Sequence, residues 1–305
     1  MTRRELLAAA CTASALQAGR RIDISRFSAI TDEIGKTPED AIAFTKQHNL
    51  SWVELRGIPG TKREYAFLPE ADLKETAASF AANGLKVSFF NTSMLKYAWP
   101  GTSPVRRSTV SDESWARNLA QGAARFERRM EELKRALHAA HILGVNKVRV
   151  FAGQRVAEPA AAMPRVAEVL NEMAEVAAKE KVYLLVENEG SCSVGTCAEL
   201  AALMKLTPSK WIAINWDPLN VTSLKEVPYP DGYALLSKKR ILNVQIKGRS
   251  ILEGPQRMDW KSIVLDLEKA GYKGHFGLET HMNESLIENS HASMREIARL
   301  VRELQ

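Results

Sequence analysis

Four successive apolar runs in this 305-residue chain end on side chains able to bind a cation and carry a proton. They are Tyr183-Leu184-Leu185-Val186-Glu187, Ala213-Ile214-Asn215-Trp216-Asp217, Asn243-Val244-Gln245-Ile246-Lys247 and His275-Phe276-Gly277-Leu278-Glu279. In an extended strand every second side chain shares a face. That period groups Tyr183, Leu185 and Glu187, then Ala213, Asn215 and Asp217, then Asn243, Gln245 and Lys247. In the last run it groups His275, Gly277 and Glu279, with His281 next in line. Side by side, such strands deliver Glu187, Asp217, Gln245 and Glu279 to one place. Three carboxylates so close cannot all stay ionised without a compensating cation or proton. A divalent ion resolves the conflict, and oxygen donors favour Mn²⁺ or Mg²⁺, with Zn²⁺ and Co²⁺ as alternatives. A single acid at a strand end is ordinarily a solvated loop group or the partner of a Lys or Arg. Four phased positions on successive strands point to a site instead.

The elements that must position these groups alternate along the chain. Strands are predicted over 27–31, 52–56, 86–91, 147–151, 182–187, 211–217, 242–247 and 275–279. Helical patterns fall between them at 38–48, 71–82, 115–143, 163–179 and 260–270, with 284–303 closing the chain. Asn49, Gly84, Gly144 and Gly271 supply helix stops. Eight strand–helix units imply parallel strands with right-handed crossovers. The fold class is therefore α/β, a single-domain (β/α)8 TIM barrel with its site at the C-terminal strand ends. An open doubly wound sheet would carry a Gly-rich turn after its first strand, where Thr31-Asp32-Glu33-Ile34-Gly35 stands instead.

Composition excludes some functions. Hydrophobic content of 45% and charged content of 26% suit a globular chain, and no apolar run reaches a membrane span. The net charge of +6 is scattered among 36 acids, and Lys238-Lys239-Arg240 is too short for a phosphate track, so neither nucleic acid nor membrane is an expected partner. Residues 1–19 stand apart: Arg3-Arg4, an Ala-rich run and the exit Ala15-Leu16-Gln17-Ala18 read as a twin-arginine export signal, which implies a periplasmic protein. The other reading is a short N-terminal helix on a cytoplasmic protein. The barrel then occupies 20–305. Cys192 and Cys197 form either a small loop disulfide or two ordinary thiols.

The segments Leu185-Val186-Glu187-Asn188, Trp216-Asp217-Pro218-Leu219-Asn220-Val221, Val244-Gln245-Ile246-Lys247 and Gly271-Tyr272-Lys273-Gly274-His275-Phe276-Gly277-Leu278-Glu279 resemble the xylose isomerase-like TIM-barrel superfamily. Its members include ketose 3-epimerases, inosose dehydratases, hydroxypyruvate isomerases and apurinic endonucleases. The resemblance implies that Glu187 and Glu279 ligate a metal and move protons, and that Asp217 is a third ligand. Gln245 stands where most members have His, as in the hydroxypyruvate isomerase branch. Lys247 matches the position of an H-x-K lysine that contacts a substrate oxygen. Where many relatives have His, this chain has Asn220 and Glu189, so its substrate-positioning groups differ.

Such a site moves a proton at a carbon next to a carbonyl, through an enediolate. The expected function is a divalent-metal-dependent sugar isomerase or epimerase, with Glu187 and Glu279 as the acid–base pair and a small sugar or polyol as substrate. A polyol dehydratase and a non-catalytic sugar-binding barrel are the alternatives, and a homo-oligomer is left open. Glu54, Glu189, Asn220, Lys247 and His281 are the further candidate substrate contacts. Arg56, Asp32 and Glu33 are rim groups that bind hydroxyls or form salt bridges. The segment 91–114 is long for a loop, so Trp99 is expected to stack on a sugar face from a lid. His138 and His141, on one helix face, read as structural.

Overall fold

The computed structural model describes residues 22–106, 108–248, 250–254, 257–281 and 284–305; the expected export segment lies outside them. Short β-branched and aromatic runs form eight parallel strands. They are β1 Phe27–Ala29, β2 Trp52–Leu55, β3 Lys86–Phe90, β4 Lys147–Val150, β5 Tyr183–Glu187, β6 Ile212–Trp216, β7 Ile241–Lys247 and β8 His275–Glu279. The sheet runs β1-β8-β7-β6-β5-β4-β3-β2, and a parallel bridge between Ile30 and Glu54 brings its two ends together. The result is a nearly closed TIM barrel, as the alternation of elements predicts.

Most helices fall where the periodicity places them. The exception is 115–143, which is two helices, Asp112–Glu127 and Arg129–Ile142, broken at Arg128 (φ −95°, ψ 11°). The break lets Phe126 pack under Trp99 at 5.2 Å between ring centroids while Leu133, Ala136 and Leu137 remain buried further along. Hydrophobic spacing runs on through Arg128 and carries no mark of the joint. Between β5 and β6 the crossover helix Cys197–Leu206 opens with a capping box of Thr196 and Glu199.

Strand alternation sorts the core into two regions. Val148, Val150, Leu184, Val186, Ile212, Ile214, Val244, Ile246, Phe276 and Leu278 are buried in the continuous layer beneath the helices. Each such side chain stabilises the fold by about 1.5–3 kcal/mol. The opposite faces meet inside the barrel, where Phe89, Leu185 and Ala213 form an apolar plug with Tyr183 and Leu242 packed against it. The rest of the buried interior is polar: Ser28, Glu54, Asn91, Arg149, Glu187, Asn215, Asn243, Gln245, Lys247 and Glu279.

That interior depends on one glycine for room. A Cβ on Gly277 would lie 2.0 Å from Glu54 Oε1, so the Glu54 side chain fits only because residue 277 has none. Gly277→Ala is expected to lower stability by about 1–3 kcal/mol, the usual cost of overpacking. Urea unfolding checks this, and an unchanged midpoint would contradict the contact.

Cys192 and Cys197 are both free and buried, and burial pushes each thiol up to about 12. The loop disulfide is thus not formed. His138 and His141 are surface groups 3.1 Å from Glu70 and Glu180 respectively.

Candidate active site

The last four strands bring their acids to one mouth. Glu187 ends β5, Asp217 follows β6 and Glu279 ends β8; their exposures are 2%, 0% and 3%. One carboxylate oxygen from each lies within 4.8 Å of the other two. Gln245 and Lys247 share the inward face of β7, and Lys247 pairs in register with Glu279.

The chain itself supplies much of the compensating charge. Arg149 Nη1 donates to Glu187 Oε2 at 3.0 Å, and Asn215 Nδ2 donates to the same oxygen at 2.6 Å. Arg56 Nη1 donates to Glu279 Oε1 at 2.9 Å. Lys247 Nζ stands 3.4 Å from both Asp217 Oδ2 and Glu279 Oε2. Burial works against ionising Glu279, yet Lys247, His281 and the two arginines hold its carboxyl well below the usual range. Burial likewise opposes the Lys247 charge, but Glu279, Asp217 and Glu187 hold its ammonium above the ordinary lysine value. Arg149 is the neighbour of Glu187 missing from the sequence-based site. The alternation applied to β5–β8 also marks Lys147 and Arg149 as one face of β4, so the signal was present.

Asp217 is the most tightly placed of the acids. Asn188 Oδ1 accepts its backbone N–H at 2.9 Å, and Asn188 Nδ2 donates to its carbonyl at 2.7 Å. Its Oδ1 accepts the backbone N–H groups of Leu219 and Asn220 at 2.9 and 3.0 Å. Oδ2 is left buried with no hydrogen bond. Burial, with the charges of Glu279 and Glu187, pushes this carboxyl up to about 7 against the pull of Lys247.

These residues fit a divalent cation. Among the described residues, Gln245 Oε1 and Asp217 Oδ2 are buried acceptors with no hydrogen bond, the latter facing Lys247 Nζ at 3.4 Å, and natural proteins rarely leave buried acceptors unbonded. Together with Glu187 and Glu279 they offer an oxygen-only donor set, the kind that suits Mg²⁺ or Mn²⁺. Glu33, Glu279 and His281 form a second close group, but Arg56 already bridges Glu33 and Glu279 there.

The remaining candidates divide. Asn220 Oδ1 accepts from Lys247 Nζ at 3.2 Å, placing it beside the trio. His281 is exposed, with Nδ1 3.5 Å from Glu279 Oε1. Glu189 is paired with Lys96 at 2.8 Å; burial raises its carboxyl, but Lys96 and the Ser191 backbone pull it down to about 2. Two expectations need correcting. Glu54 is not placed as a substrate contact: it is 0% exposed inside the barrel, its oxygens occupied by Ser28, Asn91, Asn243 and Gln245. Trp99 is not on an open lid: it is 4% exposed, donates to the Leu95 carbonyl and packs on Gly153 and Phe126. Its ring lines a cavity of about 550 Å³ beside the β4 exit, with Gln154, Arg165 and Ser193, which includes none of the four mouth residues.

A parallel eight-stranded barrel with acids gathered at its C-terminal strand ends is the architecture of a TIM-barrel enzyme. The chain belongs to the xylose isomerase-like TIM-barrel family, whose profile matches residues 42–304. It is similar to several solved structures. The 3-keto-D-glucoside 4-epimerase YcjR of E. coli aligns with TM-score 0.63 at 14% identity, over 90% of this chain and 98% of that one. The probable 3-DHS dehydratase AsbF of Bacillus anthracis aligns with TM-score 0.64 at 15% identity, over 89% and 98%. A xylose isomerase-like TIM-barrel protein from Mycobacterium smegmatis, in complex with magnesium, aligns with TM-score 0.65 at 16% identity, over 92% and 97%. At these identities the likeness concerns the fold. No curated protein matches the sequence.

Proposed function

We propose that this protein is a divalent-metal-dependent sugar isomerase or epimerase in which Glu187 and Glu279 exchange a proton at the carbon next to a carbonyl. The observation that carries the reading is the buried trio Glu187, Asp217 and Glu279, with oxygens within 4.8 Å of one another; among the described residues, Asp217 Oδ2 in the trio and Gln245 Oε1 beside it accept no hydrogen bond. Glu187, Asp217, Gln245 and Glu279 would hold the ion, which when bound polarises a carbonyl and offsets negative charge developing on its oxygen. The chain's own groups do the rest. Glu187 and Glu279 come from non-adjacent strands and face one small volume, so one removes a proton and the other returns it. Lys247, buried between Asp217 and Glu279, donates to a substrate oxygen. Asn220 orients that ammonium. Similarity to an epimerase and to a magnesium complex supports the family of chemistry.

A panel of ketoses and polyols with added Mn²⁺, followed by NMR for deuterium uptake from solvent, tests the reaction. Uptake at the carbon next to the carbonyl with mass otherwise conserved is expected. Loss of water would transfer the chemistry to a dehydratase, and no exchange with any substrate would defeat the proposal.

Metal uptake should depend on pH in a predictable sense. Asp217 must be ionised to ligate, and its carboxyl lies near 7 without metal, so protons and metal compete there. Mn²⁺ affinity is expected to fall as pH drops through about 7 and to level off above it. Calorimetric titrations near pH 6 and pH 8 check this; equal affinities at both would mean that no proton competes with the metal at Asp217 in this range.

A further inference from the structure

Glu54 is fully buried inside the barrel, and four side chains converge on it. Gln245 Nε2 and Asn91 Nδ2 each donate to Oε2 at 2.8 Å. Asn243 Nδ2 and Ser28 Oγ reach Oε1 at 3.1 and 3.2 Å. The Asn243 amide nitrogen also donates to Asn215 Oδ1 at 3.0 Å, and Asn215 Nδ2 donates to Glu187 Oε2 at 2.6 Å. A continuous chain of hydrogen bonds therefore runs from Glu54 through Asn243 and Asn215 to the carboxylate of Glu187.

We propose that Glu54 is a positioning residue that sets the donor–acceptor direction of this chain, and with it the presentation of Gln245 and Glu187. Burial pushes the Glu54 carboxyl up, but three amide nitrogens already donate to its two oxygens and oppose that; held as a carboxylate it only accepts, whereas an amide has one donating and one accepting end. Turning the Gln245 amide over would set its oxygen 2.8 Å from Glu54 Oε2, acceptor against acceptor, so Oε1 is the end left free. Asn243 obeys the same constraint. Because its nitrogen serves both Glu54 and Asn215, the oxygen of Asn215 is committed to it. The Asn215 nitrogen is thereby turned toward Glu187. The remaining oxygens record the bias: among the described residues, Asn91 Oδ1, Asn243 Oδ1 and Gln245 Oε1 are all buried with no hydrogen-bond donor. The interior's amide donors go to Glu54 and along the chain, leaving a surplus of acceptors in a barrel read here as binding a cation. Outer groups that orient metal ligands act in this way. The consequence for the metal rests on the function proposed above; the polarity of the chain does not.

The test is a comparison of side-chain amide NMR signals in the intact protein and in Glu54→Gln. Glutamine brings a donor into a place where every amide neighbour already donates, so at least one amide must turn over. The decisive signal is Asn215, which has no hydrogen bond to Glu54. Its NH₂ pair is expected to shift and exchange faster with solvent in Glu54→Gln, and Mn²⁺ affinity to fall about 10–100-fold. Asn243→Leu, which cuts the chain and leaves Glu54 in place, should release Asn215 in the same way and serves if Glu54→Gln does not fold. An unshifted Asn215 pair in the folded variant overturns the inference. So does a Glu54→Gln protein that binds Mn²⁺ as tightly as a wild type that binds it. A wild type that takes up no Mn²⁺ would instead defeat the proposed function, with the amide spectra still deciding the role of Glu54.

Discussion

Glu187→Gln and Glu279→Gln are each expected to lower turnover by about 10²–10⁴-fold, the range for losing a general acid or base. Glutamine keeps nearly the same shape and an oxygen that can accept from Arg149 or Arg56, but it cannot take up or return a proton. The two variants should fail differently in exchange experiments. If each glutamate serves one face of the substrate carbon, one variant keeps solvent exchange at that carbon while net conversion stops. The barrel should persist, because the strands rest on the apolar layer beneath the helices, which these changes leave untouched. Glu187→Gln leaves the buried Arg149 facing an amide in place of a carboxylate, at a cost of up to about 3–5 kcal/mol, still below the stability of a typical domain. Circular dichroism and urea unfolding separate the two effects. Wild-type turnover in both variants would remove the glutamates from the chemistry.

Arg149→Met is expected to lower stability by about 3–5 kcal/mol. Arg149 and Glu187 have side-chain exposures of 6% and 2%, so neither charge is served by bulk water. Methionine has comparable bulk but no charge, and among the described residues it leaves Glu187 the amide of Asn215 as hydrogen-bond donor. It also removes the Nε hydrogen bond to the Thr92 carbonyl at 3.1 Å, which ties the β3 exit to β4. The loss should appear as a lower urea midpoint with unchanged slope. A second substitution, Glu187→Gln, should recover part of it by removing the stranded carboxylate, and the double-mutant cycle measures the coupling. A loss below about 1 kcal/mol would mean that water reaches the pair and screens it.

Much of the site was readable from strand alternation because the period of two is a local property. Given a parallel barrel, Glu187, Asp217 and Glu279 needed only the correct face and the correct strand end. The same rule held Arg149 in view on β4, where Lys147-Val148-Arg149-Val150 places a cation on the inward face. Depth along the barrel was not readable. Glu54 is inward-facing, as alternation requires, but the β2–β3 register slips between Val53 and Glu54, and the bridge to Ile30 ties that level to the start of the chain. Stagger of that kind depends on how neighbouring strands pair. Trp99 illustrates the other limit, since an aromatic residue in a long loop has the same local pattern whether it packs inward or stands free.

The amino-acid sequence by itself determined the order of strands and helices, the faces of the strands and the carboxylates at their ends. All of these follow from interactions over a few residues. The tertiary structure alone decided which cation neutralises which acid, that the mouth carboxylates sit over a polar barrel interior, and that Glu54 lies below the site rather than in it. Those outcomes depend on separations of ångströms between residues far apart in the chain, such as Arg56 and Glu279 at 2.9 Å, and only closure of the barrel brings such pairs together.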